Sequence, residues 1–561
     1  MLKPRKVPKW SEYAPPRGTW RSVFKYGSPY EFKHPSLRWV EMIKREFGMK
    51  DEDFMSRKDE GLGEVTLERP VALDPVHRER IESIVGRRNV AADAYSRVKY
   101  AAGKTTEEIM ELRKGVVRAC ADLVVHPRSK QDVKEIVRYC SEHRIPLSTY
   151  GGGTSVTRGL GPEEGGVVLV LSTHMNKVLG VSELNQTARV QAGILGPALE
   201  EALRRAPELY HTSHRYTCGH FPQSFEYSSV GGWIVTLGSG QASSYYGDAY
   251  HLVLGQEYVT PAGTFVTRDF PAEASGPKIN DIFKGSEGAF GVLVEATLRI
   301  FRYMPENTRR FSFMFPSWEA GLDACREISQ GEFGMPAIFR ISDPEETDRG
   351  LKLYGMPSFV DSLLRRRGMR PMERCLFIGT SEGQRDFARN VERQVKRICS
   401  SYGAVSLTGY AAKKWEHTRF KEPYMREDLM DFGVLIDTLE TSVTWENIKK
   451  VHNEVRRYIT SRPKTMCMAH ASHFYPQGTN LYFIFLARMD DIEEYREFHR
   501  GIVDAIVAAG GSVSHHHGVG RLFRPWLRSY LGEGQLQVFR TLKRHFDPAW
   551  ILNRGVLVDE G

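Results

Sequence analysis

The stretch Tyr150-Gly151-Gly152-Gly153-Thr154-Ser155 closes an apolar strand pattern and opens a loop of three glycines and two hydroxyl side chains. Three glycines leave backbone N–H groups unshielded and let the main chain come close to a ligand, which is what holding a pyrophosphate requires. Two other phosphate-binding readings fail on the neighbouring residues. A dinucleotide-binding Rossmann loop opens directly into a helix, whereas Val156 to Gly166 contains Gly, Pro and the pair Glu163-Glu164 before the next strand. A P-loop needs Gly-Lys-Ser/Thr, and no such run occurs here.

Upstream of the loop, Leu123-Val124-Val125 reads as a short buried strand. Ser129 then caps a helix, with Asp132 three residues on completing a variant capping box. Val133, Ile136, Val137 and Cys140 line one face of that helix, and Ile145-Pro146-Leu147 begins the strand that runs into the glycines. Downstream, Val167 to Leu171 is β-branched, Ala188 to Ala192 alternates, Gly193 to Leu203 turns helical and Val230 to Leu237 is apolar. A second glycine loop, Gly285-Ser286-Glu287-Gly288-Ala289-Phe290-Gly291, precedes a strand over Val292 to Ile300. From about Arg302 a second α/β region begins. Its expected helices cover 317–328, 385–399, 445–459 and 492–509, and a strand covers 481–487. Residues 1–115 are rich in charge, Trp and Pro, with helical patches at 36–47 and 105–114. No chemistry is legible there, and they read as an N-terminal helical extension.

The chain has 561 residues, a net charge of +9, 41% hydrophobic and 26% charged residues, and is read as a soluble globular protein of several domains. The positive charge favours anionic partners such as phosphate esters or an acidic membrane surface. The Lys and Arg are scattered, which argues against nucleic acid. The seven cysteines form no C-x-x-C pair, so neither a disulfide framework nor a thiolate zinc site is expected. No run reaches the ~18 apolar residues of a membrane span. Met1 to Lys6 leads into polar sequence, and Asp559-Glu560-Gly561 is not a Ser-Lys-Leu address. A cytoplasmic protein is therefore expected, with no secretory, peroxisomal or transmembrane signal.

The most unusual stretch is Ser514-His515-His516-His517-Gly518-Val519-Gly520. Taken as extended backbone, it would send His515 and His517 to one face and His516 to the other, so a shared metal is not expected. A solvated histidine run is the plain alternative. Cys218 and His220 are close in sequence, which is poor evidence for a catalytic pair.

The order of these segments carries a resemblance. The strand at Val125, the Gly151–Ser155 loop, the segment Ser224–Gly232 and the Gly285–Gly291 loop together resemble the FAD domain of the vanillyl-alcohol oxidase and D-lactate dehydrogenase superfamily. Within it, the His triplet and Gly219-His220-Phe221-Pro222-Gln223-Ser224-Phe225-Glu226-Tyr227 resemble the alkyldihydroxyacetonephosphate synthase family, from about residue 120 to the C-terminus. The resemblance implies an α+β fold with a two-subdomain FAD-binding domain at 116–302. It further implies an α/β cap domain with an antiparallel sheet at 303–525, and a segment 526–561 that returns to the FAD site. FAD is expected to be held by Thr149, Tyr150, Gly151, Gly152, Gly153, Thr154 and Ser155, by Gln223, Ser224, Phe225, Glu226, Tyr227, Ser228 and Ser229, by Thr236, Leu237, Gly238 and Ser239, and by Gly285 to Gly291. Some relatives tether the flavin through a His in the first loop. Tyr150 and glycines stand there, so the flavin is expected to be non-covalent.

The same resemblance implies the roles of the site residues. Tyr482, in Leu481-Tyr482-Phe483, falls on the catalytic tyrosine, with His515, His516, His517 and His220 as its active-site companions. Arg426 falls on a substrate-binding arginine and Arg340 on another needed for activity. An isolated Tyr482 would ordinarily be one of a strand face with Ile484 and Leu486, and either arginine a surface ion pair. The implied reaction is redox-neutral: a phosphorylated ketone exchanges its acyl group for a long-chain alcohol, with the flavin an electron-rich trap. Tyr482 would remove a proton, its pKa of ~10 brought down by the His triplet. A homodimer and peripheral membrane contact are further expectations. Three positions depart from the family pattern: Gln223 stands for a common Asp, Ser229 for Thr, and Ala289-Phe290 for Thr-Leu. The competing reading is an FAD-dependent dehydrogenase of 2-hydroxy acids, which usually carries Glu-His-Gly where this chain has His516-His517-Gly518.

Overall fold

The computed structural model describes residues 8–559, so the first seven residues and Glu560-Gly561 lie outside the described part. The glycine loop leaves the edge of a four-stranded sheet ordered Val90–Ala91, Leu123–Val125, Val167–Val170, Leu147–Tyr150. The last three strands are parallel. Leu123–Val125 and Val167–Val170 are buried at every position, as strands covered on both faces must be. The helix Lys130–Glu142 crosses between them. Ser129 Oγ accepts from the Asp132 amide at 3.2 Å, while Asp132 reaches back to the amide of Arg128 at 2.9 Å, one residue before the expected capping box.

A second, five-stranded antiparallel sheet is ordered Val178–Ser182, Thr187–Gln191, Val292–Arg299, Val253–Thr260, Gly263–Val266. These two sheets share one apolar core with the C-terminal segment. That segment clamps the strand under the glycine loop: the Leu147 amide donates to Ile551 O and the Asn553 amide to Leu147 O, both at 2.8 Å.

The cap is a seven-stranded antiparallel sheet ordered Val405–Ser406, Arg309–Phe315, Cys375–Ser381, Phe339–Ser342, Thr465–Tyr475, Gly478–Arg488, Val434–Thr444. Helices Trp318–Gln330, Arg385–Ser401, Ile448–Ser461 and Ile492–Ala509 cover one face with their apolar stripes. The opposite face is left for the site.

Residues 8–115 do not stand apart. Val90–Ala91 is the edge strand of the first sheet. Helix Thr106–Arg113 is buried along its whole length, which is the mark of an interior helix and not of an appended one. Its Glu107 and Glu111 each accept from Arg496 at 2.7 Å. Asp431, at the end of a short cap helix, takes both Arg21 Nη atoms at 3.0 Å and Arg113 Nη2 at 2.7 Å, with all three side chains nearly dry. Removing one member of such a set strands buried charge, which costs ~3–5 kcal/mol. Asp431→Ala should therefore lower the unfolding free energy measured in urea by about that amount. A loss no larger than that of a surface pair would show that these charges do not bind the N-terminal segment to the cap.

Candidate active site

Alternation along Gly478–Arg488 sends Leu481, Phe483 and Phe485 into the helix-covered core, so Tyr482 faces the other way. The strand register sets Glu440 on one side of Tyr482 and His470 on the other. The His470 ring stacks on the Tyr482 ring, with centroids 5.0 Å apart and planes at 20°. The Tyr482 hydroxyl donates to Thr438 Oγ1 at 3.0 Å. Behind His470, Arg340 Nη2 donates to Glu346 Oε1 at 2.5 Å and lies 3.2 Å from His470 Nδ1.

The His triplet is not extended, and the expected alternation of its side chains fails. The amides of His515, His516 and His517 converge on one buried carboxylate, Glu440, at 2.8 to 3.1 Å, with the Ser514 hydroxyl at 2.7 Å. The loop therefore curls, and two of its rings turn toward Tyr482: His516 nearly parallel at 6.1 Å and His517 edge-on at 5.7 Å. His515 Nε2 lies 2.9 Å from the Tyr475 hydroxyl. Curling also brings ligand atoms of Glu440, His515 and His516 within 4.8 Å of one another, a possible metal grouping that an extended strand would not make. Glu440 is already engaged by a hydroxyl and three amides, the arrangement of a backbone anchor. At the other end of the loop, the amides of Val519 and Gly520 donate to Glu287 at 2.6 and 2.8 Å.

Burial sets the protonation states. It pushes His515, His516 and His517 below the ordinary imidazole value, and His220 down to about 4. It pushes Tyr482 up to about 12, the bond to Thr438 only partly opposing it. The expected lowering of the Tyr482 pKa by the triplet does not occur: desolvation dominates, and the nearby Glu440 and Asp437 carboxyls raise it further. Burial raises Glu287 to about 7 against its two amide donors. For Glu440 burial is outweighed by His517, His515 and the donors of the loop, and the carboxyl sits below its ordinary value.

The glycine loop packs as closely as its sequence implies. A Cβ on Gly152 would lie 1.8 Å from the carbonyl oxygen of Tyr227, and one on Gly153, at φ +73°, 1.8 Å from the Tyr150 hydroxyl. His220 is buried against Trp233, with ring centroids 4.6 Å apart. Not every predicted side chain faces this cradle. Gln223 donates to the Arg419 carbonyl, Glu226 takes Lys421, and the Tyr227 hydroxyl accepts from the Ser28 amide, so these three tie the loop to the cap and N-terminal segment.

Residues 121–269 match the family described as "FAD binding domain", and residues 304–557 match "FAD linked oxidases, C-terminal domain". An alkyldihydroxyacetonephosphate synthase of Dictyostelium discoideum is 31% identical over 488 residues, 83% of this chain and 78% of that protein. The chain belongs to the alkyldihydroxyacetonephosphate synthase family. A solved alkyldihydroxyacetonephosphate synthase superposes with a TM-score of 0.81 at 26% identity, covering 96% of this chain and 98% of the other. A 4-ethylphenol oxidase from Gulosibacter chungangensis shares the fold, with a TM-score of 0.65 at 17% identity over 87% of this chain and 98% of its own.

The family's cofactor is FAD, and the cleft beside the glycine loops fits it. Both ring nitrogens of His220, the hydroxyls of Thr157 and Ser286 and the amide oxygen of Asn553 are buried with no protein partner. Buried polar atoms ordinarily have partners, so a polar ligand between the loops accounts for them.

Several site residues were not anticipated. His470 and His473 lie on the neighbouring strand, and the alternation of Met466 to Ser472 was their one local signal. His473 sits at a bulge with φ +53°, and its Nδ1 meets the Ser239 and Ser243 hydroxyls at 3.1 and 2.8 Å. Arg426 spends its donors on Glu427 and on the Lys104 carbonyl. Arg419, by contrast, makes no ion pair among the described residues. Its guanidinium lies over Phe221, Phe420 and Trp415 at 5.1, 4.6 and 6.0 Å, and Arg340 lies 5.8 Å from the same Trp415 ring.

The close approach at Gly152 yields a test of the cradle. Gly152→Ala should fold with an unchanged far-ultraviolet spectrum but purify with its flavin absorbance largely lost. Full flavin content in that variant would mean that the loop does not shape the cofactor site.

Proposed function

We propose that this chain exchanges the acyl group of a 1-acyl-dihydroxyacetone phosphate for a long-chain alcohol, giving the 1-alkyl ketone and a fatty acid in ether lipid synthesis. One observation carries the assignment of roles: Tyr482 stands on the open face of the cap sheet, enclosed by His470, His516 and His517. FAD, bound without a covalent tether, would supply an electron sink beside the ketone that makes the exchange feasible.

The protein residues divide the remaining work. Arg419, which makes no ion pair among the described residues and lies near the same Trp415 ring as Arg340, anchors the substrate phosphate by charge-assisted hydrogen bonds. Arg426 is a structural residue in this reading, since its guanidinium is already committed. Tyr482 enters the reaction with its proton on, because burial holds it protonated at neutral pH. Proton movement at the substrate carbon therefore runs through a neutral hydroxyl whose imidazole neighbours are also uncharged and able to accept. His220 and the triplet keep water and charge out of the site until substrate enters. Arg340 positions His470, and through it the Tyr482 ring.

Tyr482→Phe should keep its FAD and fold while incorporation of labelled hexadecanol into ether product falls by about a hundredfold or more. Undiminished incorporation would remove Tyr482 from the mechanism. In the wild-type enzyme, kcat should fall only as pH drops below ~6.5, the ordinary imidazole value. The direction follows from burial: a lowered histidine pKa keeps the acceptor form populated down to more acid pH. An acid limb centred at or above neutrality would contradict the neutral-imidazole site.

A further inference from the structure

The curl of the His loop gathers three metal-ligating groups for which the proposed reaction has no joint use. His515 Nδ1 lies 3.0 Å from His516 Nδ1, and His516 Nδ1 lies 3.5 Å from Glu440 Oε2. One ligand atom from each of the three residues lies within 4.8 Å of the other two. A tetrahedral zinc ion, with its ligands at ~2.0–2.1 Å, holds those ligand atoms about 3.3 Å apart. The two short separations bracket that value.

The surrounding bonds leave these atoms available. Glu440 anchors the loop mainly through one oxygen. Its Oε1 accepts from the Ser514 hydroxyl and the amides of His515, His516 and His517, whereas Oε2 accepts only from the His515 amide. Oε2 therefore keeps a lone pair for a further partner, and His516 Nδ1 faces it. His515 is oriented from behind. Its Nε2 lies 2.9 Å from the Tyr475 hydroxyl, which donates to Asp248 Oδ2 at 3.5 Å. With the hydroxyl proton spent on Asp248, His515 carries its own proton on Nε2 and presents a lone pair on Nδ1. Metal-bound histidines are ordinarily fixed in this way, the far ring nitrogen donating to a partner. The one proton between the two Nδ1 atoms then belongs to His516, and a metal ion takes its place. No Lys or Arg pairs with Glu440 among the described residues, so no cation already fills the position. Both imidazoles keep some exposure, so an ion can reach them.

Two imidazoles and one carboxylate suit a borderline ion such as Zn2+, and not Mg2+ or Ca2+, which take oxygen ligands. We propose that His515 Nδ1, His516 Nδ1 and Glu440 Oε2 form a zinc site with its fourth position open, and that zinc bound there arrests turnover. The site is read from the geometry alone. The arrest rests on the proposed reaction, because a metal-bound imidazole nitrogen can no longer accept a proton. The test is equilibrium dialysis of the FAD-loaded protein against micromolar Zn2+, and separately against Mg2+, with bound metal counted per chain. One zinc ion per chain and no Mg2+ are expected, and Co2+ in place of zinc should add visible bands to the red of the flavin absorption. His515→Ala and His516→Ala should each weaken zinc binding by about a hundredfold or more, and Tyr475→Phe, which removes only the orienting hydroxyl, by about tenfold. All three variants should keep the wild-type far-ultraviolet spectrum and flavin content. Ether synthesis should stop when zinc is added and return with EDTA. Wild-type protein that retains no zinc, or zinc retained undiminished by His515→Ala and His516→Ala, would overturn the site. Zinc bound at one per chain with ether synthesis unimpaired would overturn the arrest. Binding and turnover are scored separately, so a failure of the site is distinguishable from a failure of the proposed reaction.

Discussion

The loop from Ser514 to Gly520 hangs between two buried carboxylates, and the geometry of the site depends on that suspension. Glu440, from the cap sheet, gathers the amides of the three histidines. Glu287, from the second glycine loop of the FAD domain, gathers the amides of Val519 and Gly520. A carboxylate taken out of water must find donors, and a loop taken out of water must find acceptors. Each satisfies the other here, so the His516 and His517 rings are fixed beside Tyr482 by a loop and not by a regular strand. Because one carboxylate comes from the cap sheet and the other from the second glycine loop, the His loop also ties these two parts together.

That packing determines the chemistry available. Every imidazole near Tyr482 is depressed by burial, and Tyr482 itself is raised to about 12. Apart from the Glu440 carboxylate that anchors the loop, the groups around Tyr482 are neutral imidazoles, with positive charge at Arg340 and Arg419. In the proposed reaction such a site would move a proton between uncharged partners while the arginines hold the substrate's headgroup. This suits a redox-neutral exchange on a phosphorylated ketone.

What was legible in the sequence was local. The close packing of the glycine loop was legible because such backbone approach needs glycine at those positions, and Tyr482 and the His triplet lay within short motifs. The curl of the triplet was not legible, since it depends on Glu440, more than seventy residues upstream. The same holds for Arg21 and Arg113, which meet Asp431 from sequence distances of 410 and 318 residues. Three ordinary charges far apart carry no local pattern, so the N-terminal segment read as an appendage although its helix Thr106–Arg113 lies in the core. Arg426 was placed at the substrate by its position ahead of Leu435 and Glu440 alone. Only the structure shows which guanidinium is already spent.

The account's central claim is that the flavin serves an acyl-for-alkyl exchange and is not a hydride acceptor. The direct measurement is strictly anaerobic incubation of the purified yellow protein, without electron acceptor, with acyl-dihydroxyacetone phosphate and hexadecanol, and separately with D-lactate. The account predicts repeated turnover in the first mixture, with one fatty acid released per ether formed, and an oxidised flavin spectrum that D-lactate leaves unchanged. Flavin bleached by D-lactate, with no ether product in the first mixture, would contradict it.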